Sequence, residues 1–226
     1  MLLTWLPVMA VVRLLDRDTL RRSCGRWLRV LGRGFTRVYP GRILIEGLQN
    51  IDRKQAYLIV VNHQSLADGP LTSHVPLDQK ALFRSTLFEI PVVGWLLKMA
   101  GEIAVDRSSP RMAAKALAEC GRLLRAGISV LIFPEGTRSK DGSLLPFNDI
   151  AFRLALREGI PVLPVVLDGA SAALPKNSLL FHSGGDVHVS VLPPVAMSGW
   201  GAKDSDGLRD HVWRMIEGEL QRLRGR

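Results

Sequence analysis

The sequence predicts an α/β fold: a mixed, largely parallel central sheet flanked by helices, preceded by an N-terminal amphipathic helical segment suited to lying on a membrane. Three observations carry this. From residue 43 onward, short β-branched runs alternate with longer stretches of helical periodicity. Two of the buried runs empty into polar loops, as strands of open α/β sheets do at their ligand-bearing ends. Residues 1–38 differ in composition, apolar first and arginine-rich afterwards, so the expected division is 1–38 for membrane association and 39–226 for the α/β domain.

A chain of 226 residues has room for one sizeable core. Its mean hydropathy of +0.14 is high for a freely soluble protein, yet no apolar run reaches the length of about 18 residues needed to span a bilayer. The formal charge of +9 calls for an anionic partner: a phospholipid surface, a phosphorylated small molecule or nucleic acid. Cys24 and Cys120 suggest no disulfide framework. The five histidines form no HExxH pattern, so no metal is expected.

Residues 1–12 are apolar but too short to cross a membrane, and the positive charge follows at Arg13, which favours an interfacial anchor over a cleaved signal peptide. From Asp16 to Val38, Leu20, Cys24, Trp27, Leu28, Leu31, Phe35 and Val38 share one helical face, and Arg22, Arg26, Arg29, Arg33 and Arg37 gather opposite them. That basic amphipathic helix can pack on the core, meet anionic headgroups, or do both. Strands are expected at 43–46, 58–61, 80–84, 103–105, 128–133, 160–167 and 187–192. Helices are expected from Asp68, over 110–127, 149–158 and 205–223. The block 87–99 is nearly all apolar and either faces the core or presents Phe88, Trp95 and Leu97 to lipid.

The strand Leu58–Val61 delivers His63, and Asp68 follows five residues later. On a helix the two would lie about 140° apart, and on a strand roughly 17 Å apart. They meet only if the chain turns after His63 and starts a helix near Asp68, as Gly69 and Pro70 encourage. A carboxylate on one ring nitrogen fixes the imidazole tautomer and leaves the other free to accept a proton. Chance adjacency is the alternative. The second polar loop, FPEGTRS at 133–139, carries Glu135 and Arg138 about Gly136. Arg138 offers a fork of donors for phosphate, or a salt bridge to Glu135 or Asp141.

Taken together these motifs resemble the glycerolipid acyltransferases. NHQSLAD at 62–68 is similar to that family's HxxxxD motif, and FPEGTRS to its second signature. Residues 83–107 and IPVLPVV at 160–166 resemble two further blocks, so the resemblance covers roughly 41–195. It implies transfer of a fatty acyl group from acyl-CoA or acyl-carrier protein to the hydroxyl of a lysophospholipid, 1-acylglycerol-3-phosphate foremost, giving phosphatidic acid. No cofactor beyond the acyl donor is implied. His63 would be the general base and Asp68 its orienting partner. Glu135, Gly136, Thr137 and Arg138 would form the loop that holds the acceptor phosphate, with Arg84 and Arg107 adding charge. The implied location is the cytoplasmic face of an anionic membrane. One departure stands out: PFNDIAF places Asn148 and Ile150 where the family commonly has lysine and glycine, which leaves room for another lysolipid acceptor, such as a lyso-ornithine lipid.

Two rivals remain. A Ser-His-Asp hydrolase would need a nucleophile elbow, and no G-x-S-x-G occurs, although Ser65 is near His63. A non-enzymatic membrane-binding module would have no use for an oriented imidazole. Nucleic acid is not expected, because stacking platforms are absent.

Overall fold

The computed structural model describes residues 2–225 except 107, 176, 177, 179, 183 and 184. Short apolar runs become strands wherever both faces can be buried. These are β1 (Ile43–Glu46), β2 (Leu58–Val61), β3 (Gln79–Arg84), β4 (Ile103–Val105), β5 (Ser129–Ile132), β6 (Val162–Asp168) and β7 (Val187–Val191). They form one seven-stranded sheet in the order β1-β7-β6-β2-β5-β3-β4. Every pairing is parallel except β6 with β7. β2 therefore sits in the middle of the seven strands, between its parallel neighbours β6 and β5.

Alternation along β2 divides the core into two layers. Leu58 and Val60 pack with α5 (Pro110–Arg125), α6 (Ile150–Glu158) and α8 (Ser205–Arg224), while Ile59 and Val61 face Leu71, Val75, Leu163 and Leu174 on the other side. In α8 the buried Leu208, Val212, Ile216, Leu220 and Leu223 recur at three- to four-residue spacing, which lays one stripe along the sheet. Ser109 caps α5, accepting from the Met112 N–H at 3.3 Å, and Pro110 occupies its first turn.

The N-terminal region departs from the expected single helix over 16–38. The chain forms α1 (Leu2–Leu15), a turn, and α2 (Arg22–Thr36). The turn arises because Asp16 accepts from the Asp18 N–H at 3.0 Å and Asp18 from the Leu20 N–H at 2.9 Å, two consecutive side-chain turns that compete with helix. Arg21 completes the turn in the left-handed region at φ 53°. Met9 of α1 and Cys24 and Leu31 of α2 pack with Leu96 and Ala100 of α4 (Val93–Ala100). Leu3, Val11, Leu14 and Leu15 of α1 remain exposed. Among the described residues no helix is long and apolar enough to cross a membrane.

Of the two expectations for 87–99, a core-facing block or a platform of Phe88, Trp95 and Leu97, the fold divides the residues, and Leu97 is on the core side. Residues 93–100 are helical, so Leu97 points away from Trp95 and is buried, while Trp95 and Ile90 stand exposed. Beneath this helix lies a feature that the sequence pattern concealed. Lys80, expected only as the first residue of the 80–84 strand, is buried and donates to the carbonyls of Arg21, at 2.9 Å, and of Ala100. Burial pushes its ammonium down, whereas Glu102, whose Oε2 accepts from the Ala81 N–H at 2.6 Å, is pushed up to about 7 by burial, with Lys80 opposing.

Candidate active site

Two neighbouring strands bring the two sequence motifs to one level. In the β2–β5 register Val60 lies opposite Ile132, so His63 and Glu135 each emerge three residues beyond a matched pair. Asn62 prolongs the ladder with its side chain. Its amide donates to the Leu167 carbonyl and its carbonyl accepts from the Leu167 N–H, both at 2.8 Å. The buried residue that follows β2 is thus locked to β6, and His63 starts from a rigid base.

The chain turns after His63 and enters the short helix α3 (Asp68–Thr72), as His63 and Asp68 require if they are to meet. His63 Nδ1 lies 2.7 Å from Asp68 Oδ2. Asp68 is fully buried, and the same oxygen accepts from the backbone N–H groups of Gln64 at 2.6 Å and Ser65 at 2.8 Å. Three donors converge on one carboxylate oxygen. Oδ1 has no hydrogen-bond partner among the described residues. With Nδ1 engaged, Nε2 is the nitrogen left to exchange a proton, and the imidazole keeps about 24% of its side-chain surface exposed. Phe133 stacks on the ring, centroids 4.2 Å apart at 24°, and fixes its plane.

The 133–139 loop is built around Glu135. Its Oε1 accepts from the His63 N–H at 2.7 Å and its Oε2 from the Leu145 N–H at 3.1 Å, so the carboxylate ties the two motif loops and the 140s segment together. Burial pushes Glu135 up to about 7; its two backbone hydrogen bonds oppose the shift, and nearby Asp68 adds to it. Gly136 supports this turn at φ 77°, where a side chain would be strained. Ser139 donates its N–H to the His63 carbonyl at 2.8 Å, which pins the residue next to Arg138 against the imidazole's own backbone. Thr137 is exposed and Arg138 half-buried. Arg84 ends β3 and is exposed, separated from β2 by β5. Arg107 lies outside the described residues.

Ser65 is fully buried, and its hydroxyl donates to the Leu174 carbonyl at 2.6 Å. It is a structural group with no path to a substrate. The N–H groups of residues 63, 64 and 65 are all consumed inside the site, so none of them is at hand for a developing oxyanion. Asn148 replaces the family's lysine with a loop clamp: its backbone N–H donates to the Pro134 carbonyl at 3.0 Å and its side-chain amide to the same oxygen. Ile150 opens α6 and is exposed. Phe133 and the 64–65 amides were the contributors hidden from sequence reasoning; only the position of Phe133 at the head of its motif hinted at a role.

A five-stranded parallel core that presents a buried carboxylate, an oriented imidazole and an arginine-bearing loop at the same edge defines a class of α/β proteins equipped for proton transfer beside an anionic group. Residues 42–168 match the family model described as Acyltransferase, and the chain belongs to that family. It is 38% identical over 180 residues to a chloroplastic 1-acyl-sn-glycerol-3-phosphate acyltransferase of Brassica napus, covering 79% of this chain and 52% of that protein. It is 33% identical over 177 residues to the alpha form of 1-acyl-sn-glycerol-3-phosphate acyltransferase from Mus musculus, covering 77% of this chain and 62% of the mouse protein. The chain spans about half the length of the plant relatives. The crystal structure of the 1-acyl-sn-glycerophosphate acyltransferase of Thermotoga maritima superposes with a TM-score of 0.81 at 27% identity, covering 97% of this chain and 88% of that one.

Proposed function

We propose that this protein transfers a fatty acyl group from a thioester, acyl-CoA or acyl-carrier protein, to the free hydroxyl of 1-acylglycerol-3-phosphate, releasing phosphatidic acid and the thiol. The observation that carries the reading is the 2.7 Å contact of His63 Nδ1 with the buried Asp68, set in a chain whose relatives bear that activity in their names. An alcohol is a poor nucleophile near neutral pH. Nε2 of His63 takes its proton as the oxygen attacks the thioester carbonyl, and Asp68 stabilises the imidazolium that results. Collapse of the tetrahedral adduct breaks the carbon–sulfur bond, and the proton passes from His63 to the departing sulfur. No covalent acyl-enzyme is needed. Arg138 holds the acceptor phosphate, and Glu135 and Gly136 shape the loop that carries it.

The enzyme works on a membrane surface, with residues 1–38 as the contact region. Exposed Leu3, Val11, Leu14 and Leu15 of α1 supply the apolar side, and exposed Arg17 and Arg37, which flank α2, the attraction to anionic lipid. Purified full chain given labelled acyl-CoA or acyl-carrier protein and a panel of lysolipids is expected to make labelled phosphatidate fastest. Fatty acid released without an acceptor, or preference for a lysolipid lacking the phosphomonoester, would overturn the assignment.

A further inference from the structure

A cavity of about 460 Å³ lies at the end of the sheet opposite His63. Its wall includes Arg26, Arg29 and Arg33 of α2 and Arg53 from the loop ahead of β2, together with Asp78. Asp78 immediately precedes β3, and Gly127 and Ser129, which also border the cavity, lead into β5. Because β2, β3 and β5 run parallel, this is their N-terminal edge, whereas His63 and the 133–139 loop leave the C-terminal edge. It is a different place from the acceptor site.

The charge there is unbalanced. Asp78 bonds Arg29 at 2.5 Å and lies 3.7 Å from Arg26, and among the described residues no carboxylate pairs with Arg33 or Arg53. Arg29, only 13% exposed, is held in place by Asp78 and the Gln79 carbonyl, so the floor is fixed. Positions 26, 29 and 33 share one helical face, where like charges repel unless an anion lies between them. Val30 and Leu77 add apolar wall to the same hollow, whose volume suits a small molecule.

We propose that this cavity is a second phosphate-binding site, taking a phosphorylated small molecule whose oxygens bridge Arg33 and Arg53 while its body rests on the apolar wall. The recognised chemistry is the phosphate group, free or carried on a lipid headgroup. The guanidinium fork suits it, and a bidentate pair gives geometry as well as attraction.

The test uses the full chain and its Arg33→Gln/Arg53→Gln variant, with pyrophosphate titrated by calorimetry at physiological salt, and vesicles of neutral lipid with or without phosphatidate in a second arm. Pyrophosphate binding that weakens at least tenfold in the double variant, and stays unchanged in Arg138→Ala, establishes the site with a soluble ligand. Phosphatidate-dependent vesicle binding lost in the double variant, without pyrophosphate binding, establishes it with a headgroup. An Arg33→Lys/Arg53→Lys variant retaining most of the binding excludes a folding defect, as does a urea-unfolding transition of the glutamine pair that matches the wild type. Equal binding by wild type and the glutamine pair, loss on Arg138→Ala instead, or no binding in either arm overturns the proposal.

Discussion

Replacing Asp68 with asparagine removes one charge and almost no volume, and the structure sets the size of both consequences. In the transition state the imidazolium of His63 faces Oδ2 across 2.7 Å. With the charge centres about 4 Å apart and an effective dielectric constant of about 20, that attraction is on the order of 4 kcal/mol. Its loss lowers kcat about 10³-fold, since each 1.36 kcal/mol is a factor of ten. The stability effect has a separate origin. An asparagine that keeps its carbonyl at Oδ2 still accepts from Gln64 and Ser65, but its NH₂ then falls where Oδ1 now lies without a partner. An unsatisfied buried donor costs about 1–3 kcal/mol. The assay is steady-state transfer with saturating donor and acceptor, paired with urea unfolding. A folded variant within threefold of the wild-type kcat would refute the orienting and charge-stabilising role of Asp68.

Glu135 gives a pH signature with a defined sign. Its folded pKa of about 7 lies above the ordinary 4.5, so the folded state holds the extra proton and stability falls as pH rises between those values, by up to about 1.4 kcal/mol per pH unit. Unfolding of wild type and Glu135→Gln followed from pH 5 to 8 should show a steeper fall in the wild type, because the raised Glu102 contributes equally to both; parallel curves would remove the buried-carboxyl account of Glu135. Arg138→Ala should raise the acceptor KM about 10- to 100-fold, the worth of a charge-assisted phosphate contact, and leave the donor KM nearly unchanged. Equal effects on both would take phosphate binding away from it. Lys80→Met strips the Arg21 and Ala100 carbonyls of their donor and should cost about 2–5 kcal/mol in urea unfolding, with part regained when Glu102→Gln is added. A loss under about 1 kcal/mol would show that those carbonyls find other partners.

Strand positions were legible because a central parallel sheet writes itself as short β-branched runs: 43–46, 58–61 and 103–105 coincide with β1, β2 and β4. The His63–Asp68 contact was legible as a requirement, since five residues of spacing permit it only through a turn into a helix. What stayed hidden has a common cause. The convergence of the 64 and 65 amides on Asp68, the tie from Glu135 to the His63 N–H and the burial of Lys80 all depend on backbone paths and long-range neighbours that periodicity does not encode. The helix boundary at Arg22 was missed because the side-chain turns of Asp16 and Asp18 overrode a helical apolar pattern that runs through them. Asn148 reads as a lost cation in the sequence, yet in the fold it fastens Pro134.

Acyl transfer by this chain turns on the imidazole of His63. Acyl transfer from labelled acyl-CoA to 1-acylglycerol-3-phosphate by His63→Ala, measured on protein that unfolds cooperatively and binds vesicles like the wild type, should fall by about 10² to 10⁴. Transfer at a near wild-type rate would contradict it.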